Sequence, residues 1–213
     1  MPNKTPAALW GRGGGQSLEN VQVRRLQWHN SARDATDPAY PVNTQRSQML
    51  MLLTSDDMER AATEWGANCG PGAIAAMTGI ALSDLRVSMG DFEAKRYTNP
   101  TLMWETLNRL GVRWRKLKSP LPWPKWGLVR IQWHGPWTAP GVPARVAYRH
   151  THWVGSNAAQ NGVGVFDINA LSNGSGWCSL KDWSETLVPW LLGECEPKAD
   201  GRWSLTHAVE IDR

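Results

Sequence analysis

The chain has 213 residues, of which 41% are hydrophobic and 20% are charged, and its formal net charge is +4. This composition is typical of a globular protein that can bury a core, so we expect one domain with at most an appended arm. No apolar run approaches the roughly 18 residues of a membrane span, and the start lacks the apolar stretch of a secretory signal. We therefore expect a cytoplasmic protein without a membrane partner.

The chain has three cysteines, Cys69, Cys178 and Cys195, and this small, odd number argues against a disulfide framework. We expect at least one free thiol. No two cysteines have the spacing of zinc ligands, and the only close histidine pair is His150 and His152. The sequence therefore predicts no metal site, and nothing in it points to a cofactor.

Residues 1–50 are rich in Gly, Asn, Ser, Pro and basic side chains, and only residues 21–28 alternate as a short strand would. We interpret this region as an extended or flexible basic arm. Its glycine run, Gly13 to Gly15, lacks the lysine of a phosphate-binding loop, which favours a linker. A nucleic-acid partner is the less favoured interpretation of the basic charge, because the arm matches no nucleic-acid-recognition motif.

Helical patterns begin after the arm. The segment SDDMERAATEW predicts a helix with Ser55 as its cap and acidic residues in its first turn. A second helix is predicted to begin at Cys69, since CGPGAIAAMTG has proline in its first turn and Gly79 as a stop. Two more helices are predicted at 82–89, with Ser83 as the cap, and at 100–111.

The second half of the chain has mostly β character. Short runs of β-branched and aromatic residues predict four strands, at 127–135, 144–155, 162–169 and 203–211. Residues 179–193 predict one further helix, lying on the sheet, that Pro189 kinks or ends. Helices first and strands second indicate an α+β domain.

Cys69 is the strongest candidate for chemistry. A thiol becomes a good nucleophile when it ionises, and a helix N-terminus favours the thiolate through its partial positive charge. The backbone N–H of Cys69 is also a candidate donor to the oxyanion of a tetrahedral intermediate. The alternative is a buried cysteine that acts only as a small hydrophobic residue.

A base for this thiol is expected from the predicted hairpin. His152 lies on one strand, and Asp167 near the end of the next can accept a hydrogen bond from one ring nitrogen, so that the other faces the thiol. This pattern predicts a Cys–His–Asp triad of Cys69, His152 and Asp167. The alternatives are a structural histidine and an aspartate that caps a turn with Asn169.

Three motifs together resemble a known family: NCGPGAIAA around Cys69, HWVG at His152 and GVGVFDIN with Asp167. They are similar to those of the papain-like cysteine peptidases, most of all to the bacteriocin-leader-processing branch. The resemblance covers about residues 55–170. It implies a papain-like fold, with the nucleophile on a central helix packed on an antiparallel sheet, a catalytic domain at 51–213 and a peptide or protein substrate.

The chain departs from this family at the oxyanion donor. The family supplies an upstream glutamine, whereas TEWGAN at 63–68 has none. Asn68 and the indole of Trp65 are the candidate substitutes, and a missing donor costs about 3 to 4 kcal/mol of transition-state stabilisation. The candidates for the substrate groove are Gly70, Asn99 and Trp153, although each also fits a role in turns or core.

The function favoured by these residues is a cysteine peptidase or amidase that cleaves through a thioester. One alternative is an acyltransferase on the same fold, which passes the acyl group to an amine. The other is a non-catalytic binding or inhibitor protein that retains the fold, for which the missing glutamine is the best support. The sequence leaves the substrate and the oligomeric state open.

Overall fold

A computed structural model describes residues 53–212 of the protein. The arm predicted at 1–50, with its short strand at 21–28, lies outside this range. The described chain begins with five helices: α1 Ser55–Trp65, α2 Cys69–Thr78, α3 Leu82–Arg86, α4 Phe92–Lys95 and α5 Pro100–Arg109.

Six strands follow: β1 Trp114–Lys116, β2 Gly127–Trp133, β3 Thr151–Ala159, β4 Gly162–Phe166, β5 Trp177–Ser179 and β6 Trp203–Ile211. They form one sheet in the order β1-β6-β2-β3-β4-β5, and every neighbouring pair is antiparallel. The prediction of an α+β fold with an antiparallel sheet is confirmed.

Short helices connect these strands. Two are 3-10 turns, at Pro136–Thr138 and Ile168–Asn173, and one is α6, Ala144–Ala147. A longer helical segment joins β5 to β6 and consists of α7 Leu180–Asp182, a π turn at Trp183–Leu187 and α8 Val188–Cys195.

The first two helices begin and end near their predicted positions. The cap of α1 is Thr54 rather than the predicted Ser55, because Thr54 exchanges hydrogen bonds with Asp57 in a capping box. Helix α2 begins at Cys69 as predicted and ends at Thr78, where Gly79 forms the C-cap with a φ of 72° that is accessible to glycine at little cost. Both predicted helices are therefore confirmed.

Other predicted bounds are wrong. Helix α3 ends at Arg86, and Ser83 does not cap it, since its hydroxyl is directed to Asp84. The strand predicted at 144–155 begins only at Thr151, because Pro143, with φ near −60°, instead starts the short helix α6.

The predicted helix at 179–193 is present and extends to Cys195. Pro189 does not end it, because Pro189 lies in the first turn of α8, directly after the π turn, where its missing N–H removes no α-helical bond. Several elements of only three or four residues, among them α4, β1 and β5, were not predicted, since such short pieces show no periodicity.

Helices cover both faces of the sheet. Helices α1, α2 and α5 pack on one face, where Gly155 of β3 lets Met77 of α2 come so close that an added Cβ would lie 2.7 Å from its methyl carbon. The segment 180–195 packs on the other face. The side chains of the central strands alternate between the two cores, with Leu128, Trp153, Phe166 and Val209 in the first and Val129, Val154, Val165 and Ala208 in the second.

Within residues 53–212, no helix has both the length and the apolar character required to cross a membrane.

Candidate active site

Cys69 is the first residue of α2, at the end of the helix where backbone N–H groups have no intrahelical acceptor. The side-chain oxygen of Asn68 caps this end by accepting from the Gly70 N–H at 3.2 Å. Cys69 is 7% exposed. The positive end of the helix dipole therefore acts on a sulfur that is largely shielded from solvent.

The hairpin of β3 and β4 brings His152 and Asp167 together. Gly155 pairs with Phe166 in the antiparallel register, and Asp167 follows directly after β4. The His152 Nε2 and the Asp167 Oδ2 lie 2.8 Å apart, and both side chains are fully buried. Cys69 is the second hydrogen-bonding and electrostatic partner of the imidazole. The histidine thus lies between the carboxylate and the thiol.

The Asp167 carboxylate is held by four hydrogen bonds. Its Oδ2 accepts from His152 and from the Trp183 Nε1 at 2.9 Å, and its Oδ1 accepts from the Asn169 N–H at 2.9 Å and the Asn169 Nδ2 at 2.7 Å. Burial raises the pKa of Asp167, but the charge of His152 and these donors outweigh it and hold the pKa below its usual value. Asp167 is therefore ionised and fixed in orientation.

The imidazole of His152 is equally constrained. Its ring stacks on Trp133 with centroids 6.0 Å apart, and Trp133 stacks on Trp183 at 6.1 Å. Burial lowers the pKa of His152, but attraction to Asp167 and Cys69 outweighs burial and raises the pKa to about 9. At neutral pH the ring is therefore protonated, with the Asp167 carboxylate and Cys69 as its two partners.

The other two thiols lie near carboxylates. Burial, with smaller effects of nearby carboxylates, raises the pKa of Cys178 to about 12 and that of Cys195 to about 11. All three cysteines are free. In the part of the chain that the structure describes, no cluster of His, Cys, Asp or Glu could hold a metal ion.

The two residues predicted as oxyanion donors have other partners. Trp65 is 1% exposed and packs edge-on against Phe92 in the core. Asn68 uses its oxygen for the α2 cap, and its Nδ2 donates to the Arg96 carbonyl at 3.3 Å. These contacts give both side chains a structural role.

The three residues predicted to line a groove also have structural roles. An added Cβ at Gly70 would lie 2.5 Å from the Thr98 side chain, so Gly70 permits close packing. Asn99 caps α5 by accepting from the Leu102 N–H at 2.8 Å. Trp153 is 1% exposed and packs against Trp104. The structure thus brings Cys69, His152 and Asp167 together, whereas the groove candidates serve in close packing, helix capping and the core.

Two residues important to this site were not predicted. Trp183 donates to Asp167 from the helical segment on the far side of the sheet, and no sequence pattern marks that contact. Arg130 lies on β2 next to the strand that carries His152, and its only signal was a charged residue within a predicted strand.

Comparison of the chain with family models, with curated proteins and with solved structures finds no significant match.

Proposed function

We propose that the protein is a thiol hydrolase of the papain-like type, which cleaves a peptide or amide bond with Cys69 as nucleophile, His152 as base and Asp167 as the orienting group. One observation carries the proposal: a fully buried histidine lies between a carboxylate held by four hydrogen bonds and a cysteine at a helix N-terminus. If each of these residues had only a structural role, the histidine would not need to lie between the carboxylate and the thiol.

The proposed reaction starts from the ion pair of the Cys69 thiolate and the His152 imidazolium. The sulfur attacks the carbonyl carbon, and the Cys69 N–H at the start of α2 donates to the resulting oxyanion. His152 then gives its proton to the leaving amine, and the C–N bond breaks to leave a thioester. Water, deprotonated by His152, attacks the thioester, and the C–S bond breaks to release the acid and restore the thiolate.

The proposal is tested first by the rate of Cys69 alkylation with iodoacetamide as a function of pH, measured by mass spectrometry. We expect rapid labelling down to about pH 5 to 6 that is lost in His152→Ala. His150→Ala is the matched control, because His150 also pairs with a carboxylate, Glu196 at 2.9 Å, and stacks on Trp137. The triad would be refuted if the labelling rate rose only near pH 8.5, the pKa of an ordinary thiol, and were the same in His152→Ala.

Turnover is tested with a mixture of capped peptides and mass-spectrometric detection of new termini. We expect cleavage by the native protein and none by Cys69→Ser, with unchanged cleavage by a Cys178→Ser, Cys195→Ser double variant. A native protein with an activated Cys69 that cleaves no amide in such a mixture would contradict the hydrolase assignment.

A further inference from the structure

Arg130 is a buried cation on the central strand β2. It is 4% exposed, and its Nη2 donates to the Tyr148 carbonyl at 3.1 Å and to the Thr151 hydroxyl at 3.2 Å. Within residues 53–212 no carboxylate forms a salt bridge with it. Its Nε is buried and has no hydrogen-bond partner. A buried charge in this state is costly, and a carboxylate is the usual partner that offsets the cost.

The guanidinium lies on the face of the sheet covered by the helix that carries the proposed nucleophile. Arg130 pairs with Trp153 on β3, and Trp153 belongs to the core cluster that also contains Cys69. Burial lowers the pKa of Arg130, and electrostatic interactions with Tyr148 and Cys69 oppose this effect. Arg130 therefore belongs to the surroundings of Cys69, although it is not a partner of the triad.

His207, the neighbour of Arg130 on β6, does not neutralise the positive charge of the guanidinium. His207 pairs with Arg130 across the two strands, and its buried Nδ1 has no hydrogen-bond partner. Burial first, and then the charges of Arg130 and Lys116, lower the pKa of His207 to about 4. His207 is thus neutral at physiological pH, and the pair carries one positive charge.

We infer that Arg130 anchors a subsite for a carboxylate on the substrate, beside the acyl group that Cys69 attacks. This inference rests on the proposed function and specifies its substrate class. Arginine binds carboxylates through two parallel N–H donors, and Nε, which lacks a partner here, is one of the nitrogens that such pairing uses. The carboxylate belongs either to an acidic side chain or to the C-terminus of a peptide.

Tyr148 is the side chain that would have to move for a substrate carboxylate to reach Arg130. Its ring centroid lies 5.5 Å from the guanidinium carbon, and the residue is 53% exposed. A half-exposed side chain can change rotamer without opening the core. If Arg130 served only to hold the turn before β3 through its Nη2, the charge of an incoming molecule would not matter.

The test compares two alkylating reagents of similar size at Cys69, iodoacetate, which carries a carboxylate, and iodoacetamide, which is neutral. We expect the ratio of their rates to fall about tenfold in Arg130→Gln, the factor expected for one charge-assisted hydrogen bond, and to be largely retained in Arg130→Lys. Arg113→Gln is the charge control, because the Arg113 side chain is 81% exposed, and its ratio should equal that of the native protein.

The ratio compares two reagents on the same sample, so partial unfolding of a variant affects both rates. The native protein gives a measurement without any variant: its ratio must exceed that of N-acetylcysteine. A native ratio at or below that of the free thiol, or an equal ratio in the native protein and Arg130→Gln, would overturn the subsite. Failure of the proposed function is distinct, since both reagents would then label slowly and without dependence on His152.

The source of the carboxylate is identified by protection. Acetyl-Ala-Glu-amide supplies an acidic side chain, acetyl-Ala-Ala supplies a terminal carboxylate, and acetyl-Ala-Gln-amide is the neutral control. We expect one of the acidic peptides to slow iodoacetamide labelling of Cys69 in the native protein but not in Arg130→Gln. Equal protection by all three peptides, or none by either acidic peptide, would contradict a carboxylate subsite.

Discussion

An Asp167→Asn substitution preserves the size of the side chain but removes the charge that keeps His152 protonated. The pKa of His152 is about 9 in the folded protein, against 6.5 for an ordinary histidine. A difference of this size corresponds to about 3 kcal/mol of interaction between the charged ring and its partners. The new amide also presents an NH2 group to either Trp183 or Asn169, which are donors themselves. We therefore expect the variant to unfold at lower denaturant.

The loss should depend on pH in a defined direction. A raised histidine pKa stabilises the fold fully below 6.5, and this contribution declines as the pH rises through about 9. The lowered pKa of Asp167 stabilises the fold above 3.8, and this contribution is lost as the pH falls through the folded value. The difference in unfolding free energy between the native protein and the variant is thus largest between these limits and shrinks by about 3 kcal/mol near pH 10.

The assay is urea unfolding of both proteins at about pH 5.5, 7.5 and 10, followed by tryptophan fluorescence. Asp200→Asn is the matched control, since Asp200 is an aspartate whose salt bridge with Arg202 lies at the surface, and its effect should be small and flat over this range. A constant difference between the native protein and Asp167→Asn at all three pH values would refute the coupling of His152 to Asp167.

Two further substitutions test the surroundings of the triad. Trp183→Phe removes the N–H that donates to Asp167 at 2.9 Å, and we expect a loss of about 2 kcal/mol in urea unfolding together with slower Cys69 alkylation near pH 6. Unchanged alkylation would show that this donor does not position the carboxylate. Gly70→Ala places a Cβ 2.5 Å from Thr98 and should cost about 1 to 3 kcal/mol, part of which Thr98→Ala restores in the double variant. Strictly additive losses in thermal unfolding would contradict the clash.

The residues that could be predicted are those whose role depends on local chemistry. The helix that starts at Cys69 was indicated by its early proline and its glycine stop, both of which act within one or two turns. His152 and Asp167 are separated by a short hairpin, so their approach followed from the strand pattern alone. Local signals of this kind do not depend on how the sheet is assembled.

The residues that could not be predicted depend on contacts distant in sequence. Trp153 lies in the core rather than a groove because β3 presents it to the helices, and Gly70 is small because Thr98 comes close. Arg130 would be expected to face solvent on an edge strand, whereas β2 is central and buried along its whole length. The position of a strand within its sheet is not encoded in its own pattern.

The place of β6 in the sheet has a consequence for the assembly of the protein. β6 lies between β1 and β2, and the ion pair of Arg115 with Glu210 joins residues 95 positions apart. Such distant pairing forms slowly, because the entropy of closing a long loop must be overcome first. A chain in which residues 203–211 have not yet docked presents β2 as an open edge that can pair with other chains. Correct docking of one late strand therefore protects the molecule from aggregation and at the same time completes the surroundings of Arg130.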